Sequence, residues 1–390
     1  MSVLSQACSR YVPSGDRAGG GMGDAGGSRA PRLRGPAGAA VPAEARRGRG
    51  ATANPDGRFE PHARESFDDG WEPEPAASRR TEVTRERSRA IITRNTSPDI
   101  PFDRSINPYR GCEHGCIYCF ARPNHAYVGL SPGLDFETRL FAKPDAARLL
   151  ERELSAPGYR PRSIALGTAT DPYQPIEREH GITRAVLEVL ARFRHPVGLV
   201  TKSNLVLRDR DILAAMAAEG LVKVAISVTT LDPVLARRME PRAPHPAKRL
   251  EAIRSLSAAG VPVMVIVAPI IPALNDHEIE AILEQARACG AREASHVLLR
   301  LPHELKDLVA DWFAEHYPGR QGRALSLVAQ SRGGRLYDAT FGRRMTGQGP
   351  YAELIAQRMR LARARLGYPE ERLRLNCDAF AVPGAQLALF

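Results

Sequence analysis

The sequence predicts an α/β protein whose parallel sheet is covered by helices on both faces. Three observations carry that expectation. Short runs of β-branched and Leu residues alternate at least five times with amphipathic stretches whose apolar residues recur at i, i+3 and i+4. Glycine closes three of the four clearest amphipathic stretches, as helix C-termini favour. An apolar content of 43% over 390 residues is ample for a large buried core.

Residues 1–90 come first and are rich in Gly, Ala, Pro and Arg without a period of 2 or 3.6. They are expected to stay disordered, because they bury too little surface to offset the entropy of ordering. Within them RGRGATANPDGRFE (47–60) joins a basic start to an Asn-Pro turn signal. A solvated linker is the expectation for it, with docking on the body or on nucleic acid as the alternative. A core is expected over 100–318, with strands at SIALGT (163–168), PVGLVTK (196–202), LVKVAISV (221–228), VPVMVIVA (261–268) and ASHVLLRL (294–301). Helices are expected at GITRAVLEVLARF, RDILAAMAAEG, AKRLEAIRSLSAAG and DHEIEAILEQARACG between them. The sheet is then either open and doubly wound or a curved, partial barrel. In both, chemistry collects at the C-terminal ends of the strands, where TATD, TKS and SVTT stand. A basic helical extension (319–368) follows, in which Leu354, Ile355, Met359 and Leu361 form the apolar stripe and Arg358, Arg360, Arg363 and Arg365 lie outside. Residues 369–390 read as a flexible tail ending in QLALF.

A net charge of +11 favours a polyanionic partner, since each cation meeting a phosphate releases a condensed counterion; Arg-rich composition alone is the plainer explanation. No run of about 18 apolar residues and no secretory signal are present, so a cytoplasmic location without a membrane partner is expected. Six cysteines, three of them in GCEHGCIYC (111–119), point to thiolate metal ligands in a reducing compartment rather than to disulfides. Cys112, Cys116 and Cys119 can converge on a small inorganic core only if the loop wraps it, and Gly111 and Gly115 permit that path. A tetrahedral zinc would need a fourth ligand from His114, His125 or a distant cysteine. His114 reads as solvent-facing or as a hydrogen-bonding neighbour of the site.

CEHGCIYC resembles the CxxxCxφC signature of radical S-adenosylmethionine (radical SAM) enzymes, and the βα series from about 105 to 301 is similar to their partial (β/α)6 barrel of TIM type. The resemblance implies a [4Fe–4S] cluster on the three cysteines, with S-adenosylmethionine chelating the fourth iron. One-electron reduction of that sulfonium yields a 5′-deoxyadenosyl radical. It also implies an external electron donor of flavodoxin or ferredoxin type. By the same resemblance Tyr118 lies near the adenine, and GTATDPYQP replaces the usual methionine-binding segment, leaving Thr168, Thr170 and Asp171 as substitutes. Lys202 is suited to the methionine carboxylate, Ser227 with Glu240 or Arg242 to ribose and carboxylate, and Ala268 and Pro269 to the base. NPYRGCEHGCIYCF, SVTTLDPVLARRMEPRAP and VAPIIPALND are most similar to the branch related to spore photoproduct lyase, which implies action on nucleic acid, with DNA repair favoured over RNA, protein or a small molecule. The lyase branch's hydrogen-donating cysteine has no counterpart in LGTATD; Cys289 reads as a core residue and Cys377 as a loose candidate donor. A non-catalytic metal-dependent nucleic-acid-binding module is the rival from another class. QLALF is similar to the bacterial sliding-clamp-binding pentapeptide, making Gln386, Leu387, Leu389 and Phe390 candidate anchors.

Overall fold

The structure is a computed structural model, and it describes residues 41–43, 46–60 and 80–384. The candidate clamp anchors Gln386, Leu387, Leu389 and Phe390 lie outside the described residues, as does most of the expected N-terminal tail. The strands are β1 (Glu82–Arg85), β2 (Thr93–Arg94), β3 (Arg104–Ile106), β4 (Tyr109–Arg110), β5 (Arg139–Ala142), β6 (Ile164–Leu166), β7 (Val197–Thr201), β8 (Val222–Ser227), β9 (Val263–Ile270) and β10 (Glu293–Leu298). The helices are α1 (Asp135–Thr138), α2 (Ala146–Leu154), α3 (Glu177–His180), α4 (Ile182–Arg192), α5 (Arg210–Ala218), α6 (Pro233–Met239), α7 (Pro246–Ala258), α8 (Ile279–Ala288), α9 (Leu305–His316), α10 (Pro318–Gln330) and α11 (Pro350–Arg365).

The main sheet runs β10-β9-β8-β7-β6-β3-β2, and its six strands from β3 to β10 are parallel. Their spatial order is their chain order. A doubly wound sheet reverses direction at a switch point; this one never does, so the architecture is the singly wound, unclosed (β/α)6 layer. Val222, Val224 and Ile226 of β8 and Val263, Val265 and Val267 of β9 are buried and form one face of the sheet, while Met264, Ile266 and Ala268 on the other face of β9 are half-buried. Gly220, Gly260 and Gly290 end α5, α7 and α8 with φ of 70°, 80° and 97°, the left-handed cap their positions suggested.

β3 had no counterpart among the five expected strands. It is three residues long, and it delivers the chain directly into the cysteine loop. β1, β5 and β4 form a small second sheet beside that loop.

Two expectations need correction. Residues 46–60 are not a solvated linker: the Gly50 and Ala51 amides donate to the Glu137 carboxylate at 2.8 Å each, and Asn54 exchanges hydrogen bonds with Asp135. Ala51 and Ala53 are buried there in an apolar cluster with Ile117, Met239, Leu305, Trp312 and Phe313, so the segment is held by polar pairing that hydrophobic periodicity does not register. The stripe of α11 is Ala352, Ile355, Met359 and Ala362, all buried, whereas Leu354 and Leu361 are exposed. The helix packs on α8, where Arg358 pairs with Glu280 at 2.5 Å instead of lying free. Among the described residues no helix is long and apolar enough to cross a membrane.

Candidate metal and cofactor site

The cysteine loop leaves β3 and is forced into a tight path by two glycines. Gly111 and Gly115 have φ of 73° and 68°, and a Cβ on Gly111 would stand 2.6 Å from Leu140 and 2.9 Å from the Phe136 carbonyl. Only glycine satisfies both the conformation and the space. Backbone bonds then pin the loop: the Cys112 amide donates to Phe136 O at 2.9 Å, and the Ile117 amide donates to Met239 O at 3.0 Å at the end of α6.

Arg122, fully buried, does the rest. Its Nε donates to Cys116 O (2.8 Å), Nη1 to Pro132 O (3.1 Å) and Gly133 O (2.9 Å), and Nη2 to Gly115 O (3.0 Å) and to the Glu137 carboxylate. All five guanidinium protons are thereby used. Because Glu137 also accepts from Gly50 and Ala51, one buried ion pair ties the N-terminal segment to the cysteine loop.

The three thiols line one cavity of about 270 Å³ at the C-terminal ends of the parallel strands. A larger opening of about 540 Å³, lined by Ala273, Asp276, His277 and Arg320 among others, lies at a different place and holds no cysteine. Burial pushes all three thiols up, and negative neighbours add to it: Asp171 and the other two cysteines at Cys112, and Glu240 at Cys116. A cationic core relieves that penalty by binding thiolates, so the donor set fits a metal. Among the described residues no group of three or more His, Cys, Asp or Glu closes around a single ion. The three thiols instead share the wall of the 270 Å³ cavity, an arrangement that suits a multi-iron core better than one ion.

The other side of the cavity is built by strand ends. Lys202, following β7, places Nζ 2.7 Å from Ser227 Oγ and 3.4 Å from Thr229 Oγ1, 5.5 Å from the centroid of the Tyr118 ring. Burial lowers its ammonium to about 8, against the favourable charge of Cys116 and Asp171. Ser227 Oγ donates in turn to Ala268 O at 3.1 Å. Tyr118, Thr170, Asp171, Lys202, Ser227 and Ala268 all line the cavity together with the cysteines.

Asp171 serves the fold as well as the cavity. It accepts from Thr201 Oγ1 and from the Lys202 amide, both at 2.7 Å, and from the Tyr173 amide at 2.9 Å. Burial raises its carboxyl, but His114 and these donors outweigh that and hold it below its ordinary range. His114 is buried on the cavity wall, with Nδ1 3.4 Å from Asp171 Oδ2, an ion-pair distance without hydrogen-bond geometry. It is not solvent-facing.

Glu240 and Arg242 do not line the cavity. Glu240 is buried behind it, accepting from Tyr118 Oη, Arg249 and Thr229 Oγ1 (2.6 Å) and standing 3.6 Å from Lys202 Nζ. It orients the side chains that face the cavity. Arg242 is partly exposed and pairs with Glu113, next to Cys112. Of the other thiols among the described residues, Cys289 is buried in the main core and Cys377 is half-buried, and neither lines the cavity.

A cysteine-lined cavity at the open end of a singly wound (β/α)6 sheet defines the class. Residues 106–286 match the radical SAM superfamily, and the cofactors of that family are a [4Fe–4S] cluster and S-adenosylmethionine. Among relatives, it is 38% identical over 221 residues to an uncharacterized protein of Mycobacterium tuberculosis (strain ATCC 25618 / H37Rv), covering 56% of this chain and 65% of that one. An uncharacterized protein of Methanocaldococcus jannaschii is 28% identical over 173 residues, covering 44% and 62%. The chain thus spans under two thirds of the length of these relatives. Its fold is shared with spore photoproduct lyase complexed with dinucleoside spore photoproduct, at a TM-score of 0.52 and 14% identity over 73% of this chain and 79% of that one.

Proposed function

We propose that this protein reductively cleaves S-adenosylmethionine and directs the resulting radical at nucleic acid, in a lyase-like DNA repair or modification reaction in the cytoplasm. The observation that carries this is the convergence of Cys112, Cys116 and Cys119 with Lys202 and Ser227 on one cavity. The cluster and cofactor supply the electron transfer and the 5′-deoxyadenosyl radical. The chain's own residues supply placement. Cys112, Cys116 and Cys119 would hold the cluster; Lys202 and Ser227 offer a cation and a hydroxyl to the methionine and ribose groups, with Tyr118 and Ala268 toward the base. Glu240 fixes Lys202 and Tyr118 from behind, while the apolar walls Val200 and Ile266 limit water at the reacting end. An electron donor of flavodoxin or ferredoxin type would reduce the cluster.

Nucleic acid is supported by the +11 charge and by the fold shared with a lyase whose complex holds a dinucleoside photoproduct. Among the described residues no fourth cysteine lines the cavity, so the proposal stops short of a thiol-terminated dimer reversal. The test is anaerobic reconstitution with a chemical reductant: 5′-deoxyadenosine should form, rise when DNA is added and vanish in Cys116→Ala. Formation that DNA leaves unchanged would move the substrate to RNA, protein or a small molecule. No formation at all, with metal bound, would favour a non-catalytic binding module. The terminal Gln386, Leu387, Leu389 and Phe390 are proposed as a sliding-clamp anchor on sequence pattern alone; a chain lacking 386–390 that still binds purified clamp would end that idea.

A further inference from the structure

The cysteine cavity has a cationic rim that neither the cluster nor the residues assigned to the cofactor account for. Arg300, just beyond β10, lines the cavity beside Phe120 and Met345. Its guanidinium carbon lies 4.8 Å from the centroid of the Phe120 ring, and Nη1 approaches only the Met345 sulfur, at 3.4 Å. Its Nε is buried without a hydrogen-bond partner, and among the described residues no carboxylate lies within ion-pairing distance of it. Arg332 stands close enough for the two charges to repel, and burial together with Arg300 lowers its guanidinium. Arg332 is also buried, with an unpartnered Nε and, among the described residues, no paired carboxylate; Asp338 offsets the repulsion by Arg300 only in part.

Arg300 on the cavity wall, without a counter-charge and with the buried Arg332 guanidinium behind it, is costly unless an anion completes it. The structure also holds them in place. Arg332 donates to Arg343 O and Arg344 O at 2.8 Å each and to Leu299 O at 3.0 Å, and the Leu298 amide donates to Met345 O at 2.9 Å. The turn carrying Met345 is therefore stapled to the end of β10. Beside the cations sits an exposed aromatic face: Phe120, 45% exposed although it follows Cys119 directly in an otherwise buried loop.

We infer that Arg300, supported by Arg332 and flanked by the Phe120 ring, is a receptor for one nucleotide of an unpaired strand, the guanidinium taking its phosphate and the ring stacking on its base. Guanidinium matches phosphate by its forked donors, and a base stacks on an aromatic ring whatever its sequence. The rim thus selects an unpaired or extruded nucleotide over a continuous duplex, whose bases are not presented to such a ring. This rests on the nucleic-acid reading above and specifies the form in which the substrate is presented.

The test uses the full-length, anaerobically reconstituted protein, with fluorescence anisotropy of a short labelled single strand and of the same sequence as a duplex. Wild type should prefer the single strand. Arg300→Gln and Phe120→Ala should each weaken that binding about tenfold, with Arg300→Lys recovering part of the loss. Phe120 is exposed, so its variant separates binding from folding. S-adenosylmethionine affinity, measured by equilibrium dialysis, should change less than about twofold in all three. Single-strand binding unaltered in Arg300→Gln and Phe120→Ala would overturn the rim assignment and leave the nucleic-acid reading intact. Loss of cofactor binding in Arg300→Gln, with strand binding kept, would show that the cation serves the cofactor carboxylate and also overturn the assignment. Wild type that prefers the duplex overturns it too, and wild type that binds neither overturns both readings together.

Discussion

Replacing Arg122 by Met should break both the cysteine loop and its link to the N-terminal segment. The side chain is fully buried and uses all five of its protons, four on carbonyls of Cys116, Pro132, Gly133 and Gly115 and one on Glu137. Methionine fills much of the volume but takes the paired cation from the buried Glu137 carboxylate, leaving it the Gly50 and Ala51 amides and the charge of Arg49, and breaking a buried pair in this way costs about 3–5 kcal/mol. One or two carbonyls left dry add about 1 kcal/mol each. The expected loss is about 4–7 kcal/mol, a large part of the ~5–15 kcal/mol that holds an ordinary domain. Urea unfolding of the metal-free chain reads that loss, and iron content after reconstitution should fall with it. Adding Glu137→Gln to the same chain should restore part of the stability, because the carboxylate no longer needs a cation. A single variant within about 1 kcal/mol of wild type, loading iron normally, would refute the idea that this guanidinium organises the loop.

Other perturbations probe other parts. In Gly50→Ala the new Cβ would overlap the Gly115 carbonyl oxygen, so the variant should lose about 1–3 kcal/mol and load iron poorly; wild-type behaviour would mean that residues 46–60 do not dock. Lys202→Met should keep its iron but bind S-adenosylmethionine about tenfold or more weakly in equilibrium dialysis, the worth of a hydrogen bond to a charged group. Buried His195, whose Nε2 is 2.9 Å from Tyr159 Oη, is held at about 4 by burial first, against a hydrogen bond to Pro196 O. A base whose pKa is depressed on folding gives stability that is full above its ordinary 6.5 and is lost as pH falls toward 4, here about 3 kcal/mol. His125, also near 4, acts in the same window, and burial lowers His296 and His316 too, so His195→Gln should remove a part of the acid-side slope in unfolding measurements; an unaltered slope would contradict it.

Much of the barrel was legible because its strands are fully covered: apolar runs such as VPVMVIVA can serve little else, and β6 to β10 fall on the five expected segments. The sequential winding was not legible in the local patterns, which left an open doubly wound sheet or a partial barrel; the resemblance to radical SAM enzymes implied the partial (β/α)6 barrel that the strand order shows. β3 escaped because three residues carry no period. The cysteine triplet singled out the candidate site by its spacing, and the structure brings the three thiols to one cavity. Its supports did not announce themselves: Arg122 and Glu137 are fifteen positions apart, and each looks like a surface charge until burial is known. Glu240 stood among the expected cofactor contacts and turned out to sit behind them, a distinction of depth that a linear motif cannot express. The α11 stripe was misplaced by weighing Leu above Ala, whereas close helix packing selects the smaller side chain.

The most direct test of the central claim is paired EPR and metal analysis of anaerobically reconstituted protein with and without S-adenosylmethionine. The account predicts about four irons per chain and a reduced-cluster signal that shifts when the cofactor is added, as an iron lacking a protein thiolate requires. A single tightly held zinc, or a cluster signal indifferent to S-adenosylmethionine, would contradict it.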